Sequence, residues 1–213
     1  MNKKSIFYII VLLVCVFASL GFSKKNSIVY KDDNIKKYLN EQKSEMSIMM
    51  EDMKNIKHTG DTAIDFLYCM IPHHKAAIEM SESLLKYGGE NTEIKKIAES
   101  MITNQSKEIE QMEDMIKRME LNPKVDEKKE QDYFKKYNNL LNKHKNNDMS
   151  NVKSVDKAFA MEMIKHHEMA VSMSEIVLKY TDNKDVVDLA QNIIESQKAE
   201  IKQMREIINS MEK

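Results

Sequence analysis

Tryptophan is absent from this chain, and glycine (4) and proline (2) are scarce among its 213 residues. A β-sandwich needs turn residues roughly every 8–12 positions, so the composition argues against one. No segment sustains the apolar–polar alternation of a half-buried strand. Cysteine occurs only at Cys15 and Cys69, and loss of an N-terminal leader would leave Cys69 alone, without an intramolecular disulfide. Neither sign of charge is in excess. A formal net charge of −1 offers no basic face to a phosphate backbone, which excludes nucleic acid as a partner. A nucleophile elbow, a phosphate-binding glycine loop and a Cys-x-x-Cys pair are also missing. His167-Glu168 lacks the second histidine of a zinc protease.

What the chain has in quantity is methionine, 18 residues. Flexible thioethers fill irregular core gaps and are also soft metal ligands, so composition leaves both roles open. Charged residues make up 31% and hydrophobic ones 42%, an ordinary balance for a helical protein with a core. The length suits one domain or two small ones. Residues 1–23 read as a targeting segment: Lys3-Lys4 precede an apolar run from Ile6 to Phe22, and Gly21-Phe22-Ser23 supply small residues for cleavage. An uncleaved anchor competes with a signal peptide, because about 17 apolar residues can just span a bilayer. Either way the body is expected to be exported, with membrane attachment through residues 5–22 compatible with the sequence.

The strongest pattern is a duplication. Phe66 to Tyr87 reads FLYCMIPHHKAAIEMSESLLKY, and Phe159 to Tyr180 reads FAMEMIKHHEMAVSMSEIVLKY, at an offset of 93. Downstream, at an offset of 92, Ala98, Ile102, Gln105, Glu108 and Met112 return as Ala190, Ile194, Gln197, Glu200 and Met204. Two copies of a helical hairpin are implied.

Periodicity and end signals predict helices at Asn34–Lys57, Thr62–Tyr87, Glu90–Leu121, Val125–Lys145, Val152–Tyr180 and Asn183–Met211. Thr62 to Asp65 reads as a capping box, and Gly88-Gly89 as a stop. Asn146-Asn147-Asp148 marks a loop. The fold class is all-α: a pseudo-twofold four-helix bundle over residues 61–211, with Val125–Lys145 as the connecting helix. Residues 24–60 form a polar linker and a Met-rich helix. Pro72 falls inside a helix, where it frees the Tyr68 carbonyl. A tolerated kink and a kink that re-aims His73 and His74 both remain open.

On one predicted helix Met70, His73, Ala77 and Met80 form a stripe with His74 beside it, and Met163, His166, Ala170 and Met173 repeat it with His167. On the partner helices Gln105, Glu108 and Met112 match Gln197, Glu200 and Met204. A carboxylate-bridged di-iron bundle needs Glu-x-x-His on two helices; here Met stands three residues before His73 and His166. Soft sulfur in place of hard oxygen moves the preference from iron toward Cu(I) or Ag(I), with other transition metals tolerated by imidazole. Glu108, Glu200, Gln105 and Gln197 read either as ligands or as partners that fix the histidine tautomers. For Met46, Met49, Met50 and Met53 packing is the simpler reading. Cys69 reads as a buried inert thiol, with a soft-ligand role beside Met70 as its alternative. His58 and His144 carry no functional claim.

Met-Ile-Pro-His-His-x-x-Ala-Ile-x-Met, followed by Gln-x-x-Glu-Ile-x-x-Met, resembles the bacterial family called domain of unknown function 305, over about Asp61 to Ile208. That resemblance implies a ferritin-like helical bundle, usually exported, with copper binding or resistance linked to some members. Its matching positions are Met70, His73, His74, Met80, Gln105, Glu108 and Met112, with Met163, His166, His167, Met173, Gln197, Glu200 and Met204. Family members often carry a Met-rich connector between hairpins, whereas this connector holds only Met149. The expected function is an exported, non-catalytic binder of Cu(I) or Ag(I). The alternatives are a ferritin-like oxidase and a metal-free envelope scaffold. A homo-oligomer is compatible with such a bundle.

Overall fold

The computed structural model of the chain describes residues 33–143 and 148–211. The targeting segment, the polar stretch before residue 33, His144 and most of the Asn146–Asp148 loop lie outside the described residues. Helices are α1 (33–54), α2 (Thr62–Tyr87), α3 (Thr92–Met119), α4 (Glu127–Lys143), α5 (Val155–Val177) and α6 (Lys184–Met211). No strand occurs among the described residues, and none of their helices is long and apolar enough to cross a membrane.

The helix ends follow local chemistry, with one departure from the expected capping box. The cap of α2 is Asp61, whose Oδ1 accepts from the Ala63 amide at 3.0 Å. Thr62 is instead the first helical residue, and its hydroxyl donates to the Tyr180 carbonyl at 2.8 Å. The hydroxyl donates to a distant carbonyl instead of accepting from a local amide as a cap would. Asp65 likewise reaches back past the cap to the Thr59 amide at 2.9 Å and the Thr59 hydroxyl at 2.8 Å. Gly88, at φ +85, closes α2 in the left-handed region, where its amide meets the Leu84 carbonyl at 3.1 Å. Asn91 and Ser154 cap α3 and α5. Pro72 does not break α2, which is helical over all 26 residues.

Hairpins α2–α3 and α5–α6 pack side by side, with α2 against α5 and α3 against α6. α2 and α5 run antiparallel: Thr62 at the start of α2 meets Tyr180 beyond α5, while Asp156 at the start of α5 accepts from the Glu90 and Asn91 amides beyond α2. α2 and α5 bury residues around most of their circumference. α3 buries only the stripe Ile94, Ile97, Ala98, Met101, Gln105, Ile109, Met112 and Ile116, the 3.6-residue period of an amphipathic helix. The four helices thus make one all-α bundle with its core between α2 and α5.

α1 and α4 cover that bundle in related ways. The last tyrosine of each His-His segment donates to a carboxylate on one of them, Tyr87 to Glu41 at 2.9 Å and Tyr180 to Asp132 at 2.6 Å. Met46, Met49 and Met53 are buried on α1 and join the main core. They pack the helix down, and burying such a side chain stabilises by about 1.5–3 kcal/mol.

Candidate metal centre

The antiparallel crossing of α2 and α5 sets their His-His pairs opposite each other. All four imidazoles are fully buried. They form a row: ring centroids are 6.2 Å apart from His74 to His73, 3.7 Å from His73 to His166, and 6.0 Å from His166 to His167. Consecutive helical residues point about 100° apart, so each pair sends one ring toward the partner helix α2 or α5 and the other toward its own hairpin.

The outer rings are held identically. His74 Nε2 lies 2.7 Å from Glu108 Oε2, and His167 Nε2 lies 2.7 Å from Glu200 Oε2. A carboxylate only accepts, so each Nε2 carries a proton, and in the neutral ring Nδ1 keeps its lone pair. Both Nδ1 atoms are buried without a hydrogen-bond partner. Among the inner rings, His73 Nε2 donates to the His166 backbone carbonyl at 3.0 Å. His166 has no hydrogen-bond partner on either ring nitrogen. Burial, then the nearby His73, His167 and His74, hold its pKa well below the ordinary histidine value. It is therefore neutral at neutral pH, the form that binds metal.

Sulfur is abundant in the core that holds the row. Met70, Met80, Met112, Met163, Met173 and Met204 are all fully buried in the same core. The Gln105 and Gln197 carbonyl oxygens are buried there without partners. A buried acceptor left unsatisfied costs about 1–3 kcal/mol. This layer holds several lone pairs whose cost a cation would offset. The donor set therefore fits a soft metal ion.

Of the sequence-predicted residues, the structure brings the four histidines together with Glu108 and Glu200, and it buries the six methionines in the common core. The imidazoles and the six thioethers are buried, and Glu108 and Glu200 flank them on the histidines rather than facing each other. The His73 contact with a backbone carbonyl had no signal in the residue types. Cys69 is fully buried, and burial pushes its thiol up to about 12, so it is no thiolate at neutral pH.

A sequence model of the family described as "Domain of unknown function (DUF305)" matches residues 23–116 and again 117–210. The chain belongs to this family. The matched segments place α1 at the head of one repeat and α4 at the head of the other. Among solved structures, "CopM in the Ag-bound form" is 30% identical over 70% of this chain and 96% of that one, with a TM-score of 0.54. "CopM in the Cu(I)-bound form" is 29% identical over 73% and 99%, also at 0.54. A DUF305 fragment from Deinococcus radiodurans, 21% identical over 70% and 96% at a TM-score of 0.51, shares the fold. A comparison with curated proteins gives no significant match.

Proposed function

We propose that this DUF305 protein is an extracytoplasmic binder of Cu(I), with Ag(I) as an equivalent cargo, which sequesters the ion or hands it on. One observation carries the reading: the matched pairs His74–Glu108 and His167–Glu200, each 2.7 Å, which leave both Nδ1 atoms buried without a hydrogen-bond partner in a methionine-rich core. A carboxylate behind a histidine orients the ring and raises its basicity toward a metal on the other nitrogen. Glu108 and Glu200 hold His74 and His167 in this way. His73 and His166 add imidazole at the centre. Met70, Met80, Met112, Met163, Met173 and Met204 supply the sulfur.

Among the described residues no cluster of three or more His, Cys, Asp or Glu side chains is spaced to hold a metal. An ion bound beside these histidines would need further donors, and thioether is the soft donor most abundant in this core. That donor favours Cu(I) and Ag(I) over hard cations. The printed descriptions of the CopM structures name Ag, Cu(I) and Cu(II), which supports the same cargo class here. The oxidase alternative gains nothing from Glu108 and Glu200, since each faces a histidine of its own hairpin. Export rests on the N-terminal segment.

The test is an anaerobic titration against a competing Cu(I) chelator. A His74→Ala/His167→Ala variant is expected to lose at least tenfold in affinity while its helical circular dichroism is kept. Equal affinity would make His74 and His167 structural and overturn the observation on which the reading rests.

A further inference from the structure

Where α4 meets the start of α2, two carboxyl groups face each other. Asp65 on α2 is fully buried. Its Oδ1 accepts from the Thr59 amide and hydroxyl, while its Oδ2 has neither an N–H nor a hydroxyl donor. The group that faces it is Glu130 of α4, whose side chain is 13% exposed and accepts from the Gly60 amide at 2.9 Å. Neighbouring amides of one loop are thus divided between a carboxyl on each helix.

The same loop is tied to α4 and its approach at further points. The Asp126 amide donates to the Gly60 carbonyl at 2.9 Å, and the Lys124 amide to Asp61 Oδ2 at 2.8 Å. The His58 ring stacks on Phe134 with centroids 3.9 Å apart. Gly60 has φ +82, and a Cβ there would lie 2.8 Å from a Val125 methyl. Farther along α4, Tyr133 and Tyr137 are buried against Cys69. The duplication shows that the fold does not require an acid at Asp65. At the offset of 93 the helix caps Asp61 and Ser154 correspond, and Asp65 corresponds to Ala158, also fully buried. A methyl group fills that position in the second repeat, and a buried carboxyl is the costlier choice.

We propose that Asp65 and Glu130 are an acid-closed latch on α4: they share one proton across the α2–α4 contact, and its loss as pH rises sets two carboxylates against each other and loosens α4 and the 58–61 loop. Two carboxylates at one buried site resist ionising together. Burial raises Asp65 most, the Thr59 bonds pull it back, and Glu130 raises it again, to about 7 against an ordinary 3.8. A group so raised holds its proton better in the folded chain, so its contribution is full below about 4 and is lost as pH rises through 7. Tyr68 and Cys69 on α2 and Tyr133 on α4 also border Asp65, and burial raises all three further from that range. The Asp61 oxygens accept from the Ala63 and Lys124 amides. Lys57 pairs with Glu120 at 3.1 Å, and Lys124 with Asp182 at 3.2 Å. His58 Nδ1 lies 3.9 Å from Glu130 Oε1, so its protonated form strengthens the same closure. The latch uses none of the histidines and methionines of the proposed metal layer and stands or falls apart from it.

Hydrogen–deuterium exchange of the full chain at pH 5.5 and 8.5, corrected for the intrinsic pH dependence of exchange, tests it. Protection of the Glu130–Tyr137 amides is expected to fall at least tenfold between the two, while the Ile94–Ile109 amides of α3 keep theirs. Asp65→Asn keeps an acceptor for Thr59 and offers Glu130 an N–H that does not titrate. It should hold α4 protected at both pH values and melt higher than the unaltered protein at pH 8.5. Glu130→Gln offers the reciprocal N–H to Asp65 and should do the same, which covers the case of a misfolded Asp65 variant. Equal α4 protection at both pH values in the unaltered protein overturns the inference, as does an undiminished fall in both variants. His58→Gln should leave most of the fall in place; its disappearance there would make His58 the switch and overturn the carboxyl pair.

Discussion

At the scale of the residue, protonation decides what each polar side chain of this core can do. His74 and His167 have their protons fixed on Nε2 by carboxylates, and His166 is kept neutral by burial and its neighbours. Cys69 goes the other way: burial holds its proton on, and with it the sulfur that would otherwise attract both metal and oxidant. Cys69 is therefore expected to react with a disulfide reagent far more slowly in the folded protein than in denaturant, at pH 8 and without metal. Rapid labelling of the folded chain would contradict the burial and the raised pKa. The sequence shows which residues repeat, including Glu108 and Glu200 at matched distances after their histidines. It does not show that His73 donates to a backbone carbonyl of α5, because carbonyls are present at every residue and carry no signal.

At the scale of the element, α1 is held by apolar packing and by carboxylates with opposed behaviour. Glu41, linked to Ser83, Lys86 and Tyr87, is lowered to about 2, chiefly by its bond with Lys86. Glu45, four residues on, is raised to about 7 by partial burial and then by Glu79, Glu41 and Glu82, net of Lys86. A carboxyl whose folded pKa is raised binds its proton better in the folded state, so its contribution is favourable at low pH and is lost as pH rises from about 4.5 to 7. Glu45→Gln should therefore raise the melting temperature at pH 8, by the equivalent of about 1 kcal/mol after discounting for solvent screening. The difference should vanish near pH 4. A uniform effect at both pH values would mean that charge is not the cause. The helices themselves were legible from periodicity: α2 through α6 fall within the expected spans, and α1 starts one residue before its expected span. The cap of α2 was not, because Thr62 answers to Tyr180, more than a hundred residues away. Local sequence cannot report a distant acceptor.

At the scale of the whole molecule, the two hairpins share one core rather than standing as separate bodies. His73 and His166 stack across the α2–α5 contact, and the buried apolar residues of all six helices form a single cluster. Unfolding by urea should accordingly be one transition, with helical circular dichroism and tyrosine fluorescence changing together. Two separated transitions would mean that the hairpins are independently stable. The duplication made this pairing legible, since equal halves that each leave one face apolar must meet on that face. The meeting of Asp65 with Glu130 was not legible, because carboxylates on two separate helices carry no sign that they will face each other.

The central helices are fastened at both ends, by Thr62 to Tyr180 at one and by Asp156 to Glu90 and Asn91 at the other. A bundle clasped only at one end can splay open like a pair of tongs at its free tip. Here both tips are held, so prising α2 from α5 means breaking a clasp at whichever end gives first.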